Sequence, residues 1–167
     1  EYIHIPQISR KEFAALTVQA TSIQLYIPTW KDFQNKGQYS YGSCVDFDWT
    51  EPESRYVETL IHLGAIDPEL KEDKYYFYPE KPITRKEAAL WIYRLFDFEQ
   101  SDQKRNLPSD IGNLDKLYQT AIRATCQAGI FDEIVGGSFL PDQPLSGKEA
   151  LLILEQSQKK RKSAQNI

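Results

Sequence analysis

Apolar positions along this chain fall repeatedly on one helical face. Ala88, Trp91, Ile92, Leu95 and Phe96 recur at i, i+3, i+4, i+7 and i+8, the spacing that lines one side of an α-helix. Phe13, Leu16 and Ala20 repeat the stripe more weakly, as do Ala150, Ile153 and Leu154. The same polar signature opens each stripe: a proline one or two residues ahead of Ile/Leu, then Ser/Thr, any residue, Lys and Glu. It is written by Ile8-Ser9-Arg10-Lys11-Glu12 after Pro6, by Ile83-Thr84-Arg85-Lys86-Glu87 after Pro82, and by Leu145-Ser146-Gly147-Lys148-Glu149 after Pro144. Its physical content is a capping box, in which the hydroxyl of Ser9, Thr84 or Ser146 accepts from a first-turn amide. The glutamate three residues on reaches back to the amide of the cap. Three copies of one helix start predict a repeat protein.

A second helix precedes two of the boxes, over Tyr56, Leu60 and Leu63 in one case and Leu114, Leu117, Ala121, Ile122 and Cys126 in the other. Gly64 and Gly129 follow where a left-handed residue ends a helix, and the apolar Ile66 and Ile130 fold back on the last turn. Each connection then closes on aromatic-x-Pro, Phe77-Tyr78-Pro79 or Phe139-Leu140-Pro141, before the next box. The repeating unit is therefore helix, glycine stop, extended loop, capped helix.

That unit resembles the S-layer homology (SLH) repeat of bacterial cell-surface proteins, where a Gly-Ile-like helix end, a Phe-x-Pro loop and an Ile-Thr-Arg-Ala-Glu-like helix start follow one another. Leu63-Gly64-Ala65-Ile66, Phe77-Tyr78-Pro79 and Ile83-Thr84-Arg85-Lys86-Glu87 match one repeat. Ala128-Gly129-Ile130 with Gly136-Gly137-Ser138-Phe139-Leu140-Pro141 matches another. The resemblance implies an all-α fold of tandem helix-loop-helix repeats in a pseudo-threefold arrangement, with short β contacts in the loops. One domain over residues 1–158 is expected: a partial repeat at 1–25, a connection at 26–50, repeats at about 51–100 and 108–158, then a basic tail at 159–167. The chain departs from the family pattern in three places. Arg10 and Arg85 become Gly147 in the third copy, a charged loop from Asp67 to Lys74 replaces a glycine-rich turn, and the stretch Tyr26 to Thr50 is long.

Composition narrows the function classes. At 167 residues with 41% hydrophobic and 26% charged positions, the chain can bury a core without metal or membrane. No apolar run reaches the roughly 20 residues of a spanning helix. A net charge of -4 argues against a nucleic-acid binder driven by phosphate neutralisation. Lys159-Lys160-Arg161-Lys162 reads as a solvated, frayed helix end, with a polyanion or membrane-surface contact as the alternative. The chain starts at Glu1 and contains no Met, the expectation being a processed or excised piece. Cys44 and Cys126 read either as one bridge or as separate thiols, Cys126 packing as a small apolar residue.

Catalytic patterns are absent from the sequence. His4 and His62 adjoin no nucleophile arrangement, and His62 reads as a last-turn helix residue favoured by the dipole. Gly136-Gly137 is turn chemistry, and Glu69, Glu72 and Asp73 read as a solvated charge run rather than a calcium loop. No enzyme activity and no cofactor are expected. Aromatic residues are plentiful at 13%. Tyr26, Trp30, Phe33, Tyr39, Tyr41, Phe47 and Trp49 gather in the long connection, with Asn35-Lys36-Gly37 as a hairpin turn, and Tyr75 to Tyr78 form a second run. They fill space between short helices or, at Trp30 and Tyr76, stack on sugar rings.

A capped helix start offers amides and the positive end of the helix dipole to an anionic sugar. Arg10 and Arg85 add charge-assisted hydrogen bonds, and Lys11, Lys86 and Lys148 supply a cation in every copy. The resemblance implies the same location, with secondary cell-wall polysaccharide or another peptidoglycan-linked glycan held around the Thr-Arg motif. The expected function is a non-catalytic module at the bacterial cell surface or wall, outside the cell, that anchors its parent protein through carbohydrate. The alternative is a degenerate SLH-like domain that assembles with other surface-layer proteins.

Overall fold

A computed structural model describes residues 1–26, 42–99 and 105–162. Trp30, Phe33, Tyr39, Tyr41 and the expected turn at Asn35-Lys36-Gly37 lie outside the described residues. Among those described, five helices and one two-stranded sheet form, so the chain is mostly helical. The residues group into two compact units, Ser9–Pro82 and Glu1–Ile8 with Ile83–Ile167. No helix among the described residues is long and apolar enough to cross a membrane.

In the unit Ser9–Pro82, α1 (Arg10–Ala20) packs against α2 (Ser54–His62). Phe13, Ala14 and Val18 on α1 and Val57 and Leu60 on α2 are buried, together with Phe47 and Phe77 from the connections. Each large side chain so removed from water contributes about 1.5–3 kcal/mol. Thr17 on α1 and Thr21 just after it are fully buried, and their hydroxyls donate to Phe13 O at 2.7 Å and Thr17 O at 2.6 Å, which spares the desolvation penalty of an unpaired hydroxyl. Gly64 takes φ +77° after α2, and the amide of Ala65 donates back to Leu60 O at 2.9 Å, closing the helix as the sequence predicts. His62 ends α2 and stacks on Tyr26 with ring centroids 3.7 Å apart.

The charged loop is a hairpin, not irregular chain. β1 (Glu69–Lys71) pairs antiparallel with β2 (Lys74–Tyr76), Leu70 opposite Tyr75. Glu72 and Asp73 form its two-residue turn with φ +52° and +60°, the left-handed conformations a tight hairpin needs at both central positions. Here non-glycine residues accept that strain.

The other unit holds α3 (Arg85–Leu95), α4 (Lys116–Gln127) and α5 (Gly147–Lys160), with α3 packed on α4. Ala88, Ala89, Trp91, Ile92, Ala121, Ile122, Ile153 and Leu154 are buried, and Phe131 and Phe139 meet edge-on at 5.0 Å. Gly129 takes φ +82° after α4, and a Cβ there would crowd the Arg105 guanidinium at 2.9 Å. The basic residues after Lys159 do not fray. The amide of Glu99 donates to Lys160 O and that of Lys162 to Asp97 O, at 3.1 and 2.8 Å, while Arg161 lies over the Phe96 ring.

The residues just before the three caps form a closed backbone cycle in this unit. Ile8 N–H donates to Leu145 O at 2.8 Å, Leu145 N–H to Ile83 O at 3.2 Å, and Ile83 N–H to Ile8 O at 3.0 Å. All three side chains are fully buried. Three equivalent positions of one sequence motif thus satisfy one another's amides where water is excluded.

Candidate functional site: the helix starts

At α1, the capping box is complete: the Ser9 hydroxyl accepts from Glu12 N–H at 3.3 Å, and the Glu12 carboxylate accepts from Ser9 N–H at 3.0 Å. Against expectation, the start offers no open amides. Arg10 N–H donates to Lys81 O at 2.9 Å, Lys11 N–H to Pro79 O at 3.1 Å, and Phe13 N–H to Ser9 O at 2.9 Å. The Arg10 side chain turns the same way, Nε donating to Phe77 O at 2.9 Å with the guanidinium 5.0 Å from the Phe77 ring centre. Asp46 holds the other side of this loop, its carboxylate accepting from Phe77 N–H and Tyr78 N–H at 2.9 and 2.8 Å. Tyr78, the middle residue of Phe-x-Pro, sits at φ +58°.

The start of α3 is built the same way inside the other unit. Arg85 N–H donates to Gln143 O and Lys86 N–H to Pro141 O, both at 3.0 Å. The Thr84 hydroxyl accepts from Glu87 N–H at 3.4 Å and donates to the Glu87 carboxylate at 2.9 Å. Arg85 donates to Phe139 O at 3.0 Å and pairs with Glu149 at 3.2 Å. Asp110 accepts from Phe139 N–H and Leu140 N–H at 2.9 Å each, and Leu140 lies at φ +56°. Burial raises the Asp110 pKa, but the bonds from Phe139, Leu140 and its own amide outweigh this and leave it below the usual carboxylate value.

Gly147 opens α5 behind a complete Ser146 and Glu149 box. Its amide donates to Ile5 O at 2.8 Å, and a Cβ would overlap the Tyr2 carbonyl oxygen, with the carbonyl carbon 2.7 Å away. Only glycine leaves room for this backbone.

The expected binding residues are thus partly redirected. Arg85 is 5% exposed and half-buried Arg10 faces a loop carbonyl, so both arginines act first as clasps on the Phe-x-Pro loops. Lys11 pairs with Glu80 and Glu51, and Lys86 pairs with Asp142 at 2.7 Å while its ammonium lies 5.4 Å from the Tyr118 ring centre. The hydrogen bond to Glu80 raises the Lys11 pKa, against the opposing effect of burial. Lys148 is exposed. Tyr76 ends β2 half-buried, its ring 5.9 Å from that of Tyr78. The structure brings Arg10 with Lys11, and Arg85 with Lys86, to one helix start each.

Asp46 and Asp110 escape the motif reading. The available signal is positional: each precedes a buried residue, Phe47 or Ile111, at nearly the same distance upstream of Gly64 or Gly129. Cys44 and Cys126 are both free thiols. Burial, aided by the Asp132 charge, pushes the Cys126 thiol up to about 12, which keeps it protonated and unreactive at neutral pH. Among the described residues, no group of three or more His, Cys, Asp and Glu side chains is placed to hold a metal ion. No family model and no curated protein matches the chain.

Proposed function

We propose that the chain is an SLH-like module, its copies related by a pseudo-threefold axis, that holds its parent protein to the outside of a bacterial wall without catalysing a reaction. The reading is carried by the cyclic hydrogen bonding of Ile8, Ile83 and Leu145, one residue from each copy of the same helix start. The ligand is an anionic wall polysaccharide, and the lysines at the second helical position are its contacts. Lys11 and Lys86 side chains are 18% and 25% exposed, against carboxylates of Glu80 and Asp142 that are 73% and 75% exposed. Such surface pairs are worth only about 0–1 kcal/mol, so a sugar carboxylate exchanges for them at small cost. Tyr118 beside Lys86 then offers a ring face to the sugar.

Co-sedimentation with sacculi of the source bacterium tests this. Binding to intact walls, loss after the secondary polymer is stripped, and weakening in the triple variant Lys11→Gln/Lys86→Gln/Lys148→Gln is the expected pattern. No sedimentation with intact walls overturns it. Arg85→Ala is a poor probe of binding, because the clasp itself needs that side chain.

A second reading, assembly with other surface proteins, is favoured by the hairpin. Leu70 and Tyr75 face each other across it at 60% and 43% exposure, an apolar pair without cover among the described residues. Leu70→Ser/Tyr75→Ser leaves wall binding intact under the first reading and abolishes assembly under the second.

A further inference from the structure

Two non-glycine residues at the same place in the repeat, Tyr78 and Leu140, hold left-handed backbone, at φ +58° and +56°. Glycine, asparagine and aspartate adopt this region most readily, and a leucine there is strained. The loop shape is common to both, since Asp46 or Asp110 accepts from the amide of that residue and of the phenylalanine before it. The side chain is what differs. Tyr78 is half-buried and its ring packs on that of Tyr76, 5.9 Å away, so contacts within its unit offset the strain. Leu140 is 48% exposed, and both the strain and the wetted apolar surface count against it. Asparagine or aspartate would remove both penalties and would also suit a sugar hydroxyl better. A leucine is the better residue only if its exposed half meets something apolar.

Leu140 stands directly before Pro141, whose carbonyl accepts from Lys86 N–H, and two residues before Asp142, which pairs with the Lys86 ammonium beside Tyr118. The Lys11 ammonium, by contrast, is met by Glu80 and Glu51 and feels the charge of Glu53. At the same distances before the glycine stop, the unit Ser9–Pro82 carries Glu51 and Glu53 where the other carries Lys116 and Tyr118. An anionic sugar is therefore drawn to Lys86 more strongly than to Lys11. Leu140 is the exposed apolar side chain on the loop that holds Lys86.

We propose that Leu140 is a specificity-determining residue of the wall-binding site, taking the methyl end of an acyl substituent on the polymer whose anionic group meets Lys86. The ligand class is thereby narrowed to an anionic polysaccharide with acylated sugars, and a polymer carrying hydroxyls in their place binds more weakly. This rests on the anchoring reading given above.

The test is co-sedimentation of the full chain and of Leu140→Gly with intact sacculi of the source bacterium, competed with the wall polymer purified from them, either native or deacylated in hot alkali. Urea melts of both proteins run beside it. Relief of the left-handed strain should raise the urea midpoint of the variant, while its affinity for walls falls about tenfold, a loss in the range for half of a leucine side chain left unburied. Native polymer should compete better than deacylated polymer against wild type, re-acetylation should restore the difference, and the preference should shrink in the variant. Leu140→Asn, which also suits the left-handed backbone, should behave in the same way. Variants that bind walls as tightly as wild type, an undiminished preference for acylated polymer in them, or weaker binding together with a lower urea midpoint overturns the proposal. Failure of the anchoring reading looks different, because wild type then does not sediment at all, and the proposal falls with it.

Discussion

Arg85 and Gly147 occupy the same place in the same motif, within one unit, and meet the same neighbour by opposite means. Phe139 stands seven residues before Ser146, and Tyr2 stands seven before Ser9. At α3 the arginine extends outward to the Phe139 carbonyl. At α5 the side chain is missing and the backbone around the Tyr2 carbonyl moves into its space. A departure from the motif that reads in sequence as a lost binding residue is, in the fold, a change in how closely two backbones approach. Position within the motif fixes the neighbour, and the residue type fixes the distance.

Breaking the arginine side of this comparison should have the largest effect. Arg85→Ala removes a buried partner of Glu149 and of Phe139 O, and urea melts should show a loss of about 3 kcal/mol. Arg10→Ala, at a half-buried site, should lose about 1 kcal/mol. Equal losses would mean that burial does not distinguish the two clasps. The glycine side is broken by Gly147→Ala, which forces the Tyr2 backbone away and should cost about 1–3 kcal/mol in the same melts. Arg85→Gly should not be rescued by room, because no backbone stands ready to replace the side chain. If Gly147→Ala melts like wild type, Tyr2 is not seated on α5.

A third substitution sharpens the equivalence of the loops. Asp110→Asn keeps one acceptor oxygen but loses the charge, and about 1 kcal/mol should be lost at pH 7. Because the folded pKa of Asp110 is depressed, its contribution is present above the ordinary carboxylate value near about 3.9 and disappears as pH falls through the folded value. The variant should therefore converge with wild type in acid melts and diverge above pH 5. The smallest effect belongs to Lys11, whose raised pKa gives stability below the ordinary lysine value of about 10.4, lost as pH rises through the folded one. Glu80→Gln should lose that small contribution at neutral pH, no more than the roughly 0–1 kcal/mol of a surface pair, and converge with wild type as pH rises through the folded value.

The helix starts and stops were legible in the sequence because they are local. Ser9, Ser146, Gly64 and Gly129 act on amides and carbonyls within a turn of themselves, so spacing alone announces them. What Arg10 and Arg85 hold was not legible, since their acceptors are the main-chain carbonyls of Phe77 and Phe139, and a carbonyl has no letter of its own. The packing frame was hidden for a related reason. The sequence repeats as helix, loop, capped helix, yet α1 packs on α2 and α3 on α4, so that a capped helix pairs with the first helix of the following copy. Short β contacts in the loops were expected, but their place at Glu69–Tyr76 was not legible, because the turn is made by Glu72 and Asp73 rather than by the Asn-Gly or Asp-Gly pairs that usually mark one.

The cycle through Ile8, Ile83 and Leu145 also sets a schedule during synthesis. Residues Ser9–Pro82 are contiguous, so their unit can form as soon as they leave the ribosome. The cycle cannot close until Leu145 emerges, long after Ile8 has been made. The Ile8 amide waits, hydrated, while the residues between them are added, and the contact of longest sequence separation in the cycle is made last. Ribosome-arrested chains ending before Leu145 should therefore carry a protected Ser9–Pro82 unit while residues Glu1–Ile8 are still open to protease.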